Sequence, residues 1–231
     1  MHKVIIIINA EVNTQGAISL GSPATRTMVT ALERAISADS DSTEVDVISA
    51  ASLWSNSLIY SKSNSNLIYC PLTIEIPHKF SFPVQKLYQT CRDIPGLRQW
   101  VEQNLGYKTS ILDSWLGDLW LPIVVTGKQM LCGSVIGEGV IPNYYKQPVE
   151  LDRKVKKSLH SLAQELLTSL DAPPSVYLIQ FRLLSNEIIF DRLWPFPAAP
   201  AIASLRYSQQ PNLFICHWYC LTQKPMLQVT T

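Results

Sequence analysis

Two thiols and an imidazole fall within five residues at Cys216-His217-Trp218-Tyr219-Cys220, the densest group of metal-competent side chains in the sequence. Thiolate and imidazole suit zinc, but the C-x3-C spacing has no second pair to complete a shell, and the other cysteines stand isolated at 70, 91 and 132. Read as a strand, the segment puts Cys216, Trp218 and Cys220 on one face and His217 and Tyr219 on the other. The ligands then diverge, and the expectation is packed cysteines without a metal. A nucleophile elbow is also missing. In Gly133-Ser134-Val135-Ile136-Gly137 the serine directly follows the first glycine, whereas the elbow needs G-x-S-x-G. The Gly16 to Gly21 stretch lacks the Lys-Ser/Thr of a phosphate loop, and no G-x-G-x-x-G follows the first apolar run. Asn9, Glu11 and Asn13 do follow that run, where open α/β sheets hold ligands, so a small-molecule site and a structural loop are both open readings.

The elements that must position these groups follow from hydrophobic period. Residues 3 to 9 are a β-branched run of a covered strand. Met28, Val29, Leu32, Ala35 and Ile36 share a helical face within 25 to 37, and 44 to 49 reads as a second strand, giving a β-α-β unit. Residues 66 to 76 read as an edge strand, because Pro71 and Pro77 disfavour a central one. Helices are expected over 83 to 92 and 95 to 105, with Gly106 as the stop. A boundary near residue 110 divides an N-terminal lobe, 1–110, from a C-terminal lobe, 111–231. In the second lobe, 119 to 126 and 129 to 136 form a hairpin turning at Gly127-Lys128. A helix over 149 to 170 carries Val155, Leu159, Leu162, Leu166, Leu167 and Leu170 on one stripe, and Asp171 to Pro174 stop it. A second hairpin, 176 to 184 and 187 to 193, turns at Ser185-Asn186.

Composition bounds the function. With 231 residues, 47% hydrophobic and 16% charged, the chain can build one sizeable α/β domain or two small lobes. A net charge of +1 supplies no global field for nucleic acid or an anionic membrane. The apolar run Val4 to Ile8 is too short for a secretory leader, and no window reaches the ~18 to 20 apolar residues of a membrane span. Five cysteines inside mostly apolar runs suit a reduced, cytoplasmic protein.

The last third ends in Phe190-Asp191-Arg192-Leu193-Trp194-Pro195-Phe196-Pro197. Hairpin, helix and hairpin over residues 119 to 197, closed by Pro-x-Pro, resemble the C-terminal subdomain of ATP-grasp ligases. The resemblance implies ATP with magnesium, held by an acidic residue on the penultimate strand and an acidic-x-Asn-Pro-x-Pro motif on the last. Here Arg192 stands at the acidic position and Trp194 at the asparagine, while Gln180 and Arg182 occupy the preceding strand. Neither a guanidinium nor an indole can ligate a cation. Asp191 is one residue out of register and points away from the site unless a bulge intervenes.

The sequence therefore predicts an α/β protein, an N-terminal β-α-β unit followed by an ATP-grasp-like lobe. Its expected role is that of a degenerate scaffold, a pseudoenzyme that binds or assembles, with no cofactor and with a protein partner. Arg192, Trp194, Phe196, Arg206 and Tyr207 form the candidate binding surface, since Trp, Tyr and Arg dominate hot spots; the same rings could instead close the core between the lobes. The alternative is an ATP-dependent carboxylate-amine ligase using ATP and magnesium, with Glu138, Glu187 and Asp191 as atypical ligands.

Overall fold

The computed structural model describes residues 3–13, 18, 23–40, 42–54, 67–111, 116–141, 143–206 and 211–225. Tyr207 lies outside them. Two sheets organise the chain. In the first, β1 (Lys3–Ile8) is central between β2 (Glu44–Ser49) and β3 (Leu67–Pro71), all parallel. Val4 to Ile8 are at most 2% exposed, so both faces of β1 are covered, and each such side chain contributes about 1.5–3 kcal/mol of burial. Helix α1 (Pro23–Ser37) buries Met28, Val29, Ala31, Leu32, Ala35 and Ile36. As the prolines predicted, β3 is an edge, though it ends at Pro71 rather than near residue 76.

Helices α2 (Gln85–Arg92) and α3 (Ile94–Leu105) lead to the second sheet. The Asp93 carboxylate caps α3 by accepting from the Gly96 N–H, and Gly106 ends it at φ 72°, a left-handed position glycine adopts without strain. The second sheet runs β4 (Lys108–Thr109), β10 (Glu187–Trp194), β9 (Ser175–Leu184), β5 (Leu119–Val125), β7 (Val135–Glu138) and β8 (Tyr145–Val149), with β6 (Met130–Cys132) also paired to β5. The expected returning strand is thus two strands, β6 and β7, broken at Gly133-Ser134. Ser185 and Asn186, at φ 50° and 66°, make the tight two-residue turn between β9 and β10.

Two expectations are corrected. The long helix, α4 (Arg153–Ser169), starts four residues late, because Tyr145 to Val149 pair with β7 and the Asp152 side chain caps the helix through the Lys154 N–H. The Cys216 to Cys220 segment is helix α5 (Leu213–Leu221), not a strand. The Asn212 side chain accepts from the N–H groups of Phe214 and Ile215, and α5 packs on α1, β5 and β9. A 3-10 helix, Ala199–Arg206, precedes it. No helix among the described residues is long and apolar enough to cross a membrane.

Candidate functional site

Register in the second sheet aligns Arg192 with Gln180, Gln180 with Trp120, and Trp120 with Ile136. Residues paired in this way project from one face, and Glu138, two residues beyond Ile136 and opposite Tyr145, joins them. That face forms the floor of a cleft of about 430 Å³. Its opposite wall comes from the first sheet: Asn9 after β1, Thr25 and Met28 at the start of α1, and Leu72 and Thr73 after β3. The carboxyl ends of β1 and β3 thus border it, the usual ligand position in open α/β sheets. Of the loop residues singled out in the sequence, Asn9 reaches the cleft; Glu11 and Asn13 are not among its described lining residues.

One end of the cleft is closed by a polar chain. The Trp194 indole N–H donates to Gln180 Oε1 at 2.9 Å, and Gln180 Nε2 donates to the Gly117 carbonyl at 2.6 Å. The Arg192 guanidinium carbon sits 5.8 Å from the Trp194 ring centroid. The adjoining carboxylate, Asp191, is fully buried. The register slips between Phe190 and Arg192, so Asp191 is the extra residue of a bulge. Its Oδ1 accepts from Arg98 Nη2 and, at 3.2 Å, from Arg192 Nε; its Oδ2 accepts from the Gly117 N–H at 2.7 Å. Arg98 Nε also donates to the Asp191 carbonyl at 2.9 Å, which ties α3 to the bulge. Gly117 has no room for a side chain, since a Cβ there would lie 2.6 Å from the Phe181 carbonyl oxygen.

The three carboxylates expected as atypical ligands do not meet. Glu138 lines the cleft, Asp191 is enclosed beneath Arg98, and Glu187 sits at the hairpin end of β10, paired with Lys108 at 2.7 Å. Glu187 and Asp191 are four residues apart in sequence, roughly 13 Å of strand. Magnesium prefers several oxygen ligands in near-octahedral array. Where the sequence resemblance expects metal ligands stand Gln180, an amide hydrogen-bonded at both ends, the Arg192 guanidinium and the Trp194 indole, none of which is an oxygen donor free to meet that ion.

The candidate binding surface divides. Phe196 is only 2% exposed and stacks on Tyr88 at 6.1 Å, so it closes the core between the sheets instead of facing a partner. Trp194 meets Phe196 edge-on at 5.9 Å. Arg206 is exposed and lies 4.5 Å from the Tyr144 ring centroid.

In α5, Cys216 and Cys220 share a face but contact the carbonyls of Pro211 and Val125, while the His217 Nδ1 lies 3.2 Å from Ser175 Oγ. No group of three His, Cys, Asp or Glu in a metal-holding arrangement occurs among the described residues. Burial pushes the thiols of both cysteines up to about 12, so they remain protonated. Residues missed from sequence are Trp120 and Tyr145, whose rings meet at 5.6 Å and 88° beside Glu138.

No protein-family model matches the chain, and no curated protein is similar to it by sequence. Solved structures are similar. Glycinamide-RNase-transformylase T from Mycobacterium tuberculosis matches with a TM-score of 0.66 and 14% identity, over 97% of this chain and 80% of that one. N5-carboxyaminoimidazole ribonucleotide synthetase from Thermotoga maritima matches with a TM-score of 0.68 and 10% identity, over 99% and 78%. An L-amino acid ligase from Bacillus licheniformis matches with a TM-score of 0.66 and 10% identity, over 96% and 74%. The protein therefore has an ATP-grasp-like α/β fold, and the likeness extends over nearly the whole chain rather than over residues 119 to 197 alone.

Proposed function

We propose that this chain is a binding protein on an ATP-grasp-like fold, taking a small molecule in the cleft between its sheets without carrying out metal-dependent ligation. What supports the reading is that Gln180, Arg192 and Trp194 stand where the resemblance expects oxygen ligands, and that Asp191 is committed to Arg98, Arg192 and Gly117. A carboxylate so enclosed would have to abandon a buried ion pair before meeting a metal, at a cost of about 3–5 kcal/mol. For the partner-docking part of this reading we propose the surface where Arg206 lies over Tyr144, in the segment that also exposes Val140 and Ile141. Capture of a specific protein by the intact chain but not by Arg206→Ala checks it.

The second reading is an ATP-dependent carboxylate-amine ligase using ATP and magnesium. It is favoured by the solved structures the chain resembles, synthetases and a ligase among them, and by Glu138, a carboxylate within the cleft. An assay of ADP release with magnesium, ATP and mixtures of carboxylates and amines separates the two. The binding-protein reading predicts no rate above a protein-free control, and turnover proportional to protein concentration would establish the ligase instead.

A further inference from the structure

Away from the cleft, a groove of about 610 Å³ runs along α1 on the side where that helix meets the 3-10 helix and α5. Its edge and its floor differ. Arg26, Thr30 and Arg34 recur every four residues of α1, so they form one ridge, with the two arginines about 12 Å apart along the helix axis. Ala31 and Ala35, 8% and 4% exposed, lie inside that ridge and line the groove together with Leu205 and Ile215. The floor is therefore apolar, and the small alanines leave the space that a larger side chain would fill.

The charge of the groove is one-sided, because no carboxylate is among its described lining residues. Glu33 adjoins Arg34 in sequence but lies about 100° round the helix from it. Asp39, beyond the end of α1, already accepts from Trp218 Nε1 at 3.0 Å and from Lys224. Arg26 Nη2 donates to the Ile18 carbonyl at 3.3 Å, whereas the Arg34 guanidinium has no hydrogen bond or ion pair among the described residues. Asn212 also lines the groove. Its Oδ1 is taken by the N–H groups of Phe214 and Ile215, so what its amide has left to offer is the Nδ2 donor.

We infer that this groove is a second ligand site, separate from the cleft, for a carboxylate with an apolar tail: the head on Arg34 and Asn212, the tail over Ala31, Ala35, Leu205 and Ile215. A guanidinium fork meets a carboxylate in two parallel hydrogen bonds, and the two groups at the head supply donors only. A phosphate dianion would call on a second guanidinium, but Arg26 is two helical turns away and held at Ile18. Each methylene laid on the apolar floor adds to the affinity. An alcohol of the same length keeps the tail contact and loses the charge-assisted one.

Calorimetry on the full chain with octanoate, butanoate, 1-octanol, octylamine and octyl phosphate tests the inference. Octanoate is expected to saturate below about 10 mM, with butanoate and 1-octanol each about fivefold or more weaker. Arg34 is exposed, so Arg34→Gln keeps the fold, as a thermal melt verifies; it weakens octanoate about fivefold and leaves 1-octanol within about twofold. Arg153→Gln, an exposed change on α4 outside the groove, leaves octanoate within about twofold of the native chain. No saturable binding of octanoate, equal binding of 1-octanol or octylamine, tighter binding of octyl phosphate, or undiminished octanoate binding by Arg34→Gln overturns the inference.

Discussion

At the hairpin end of β10, Glu187 reaches Lys108 across 2.7 Å with both side chains more than half in water, while at the bulge end Asp191 is wholly enclosed between Arg98, Arg192 and the Gly117 N–H. The same chemical group on the same strand thus serves two different ends. The exposed pair gains little Coulomb energy against water and loses side-chain entropy. The enclosed carboxylate has no solvent to fall back on, so the charge-paired hydrogen bonds around it cannot be exchanged for water when one is lost. The bulge that encloses Asp191 also leaves Arg192 and Trp194 in the face that floors the cleft. A carboxylate near the expected metal position is therefore spent on holding α3 to the sheet.

The sharpest way to break this contrast is Asp191→Ala, which removes the buried carboxylate that Arg98 and Arg192 meet and frees the Gly117 N–H. Denaturant unfolding should show a loss of about 3–5 kcal/mol; a loss under about 1 kcal/mol would place Asp191 in the same class as Glu187.

A buried group without a counter-ion gives the next largest effect. Burial pushes the His217 imidazole down to about 3, with Nδ1 3.4 Å from the Val176 N–H and no hydrogen-bond partner for Nε2 among the described residues. The unfolded chain binds a proton near 6.5 that the folded chain refuses, so stability from this group is full above that pH and falls as the pH drops toward 3. Between pH 7.5 and 5 the loss should be about 2 kcal/mol. Unfolding midpoints of the native chain and His217→Gln across that range check it: equal pH slopes would refute a buried neutral imidazole.

The smallest effect belongs to Glu187→Gln. Its unfolding free energy should change by less than about 1 kcal/mol, and that change should shrink further at high salt. A larger, salt-insensitive loss would show that the hairpin end is not solvated as described.

Much of the fold was legible. The β1 run of isoleucines, the amphipathic stripes of α1 and α4, and the Ser185-Asn186 turn each carry a local pattern that tertiary context did not override. The bulge was legible only as a condition: Asp191 and Arg192, two polar residues in succession, break the alternation, but the partner that holds the extra residue, Arg98, is 93 positions away. Helix α5 was misread since a short run that is apolar but for His217 has no period to separate strand from helix. Its signal was the cap at Asn212. The Trp120–Tyr145 corner arises from two strands joined only through β7, a register that no local pattern encodes.

In the proposed binding-protein reading, Gln180, Arg192 and Trp194 form a polar network in place of metal ligation. Calorimetric titration of the full chain with ATP, in magnesium and again in excess chelator, tests this most directly. The network predicts no saturable heat that depends on magnesium; micromolar binding that appears with magnesium and vanishes with chelator would contradict it.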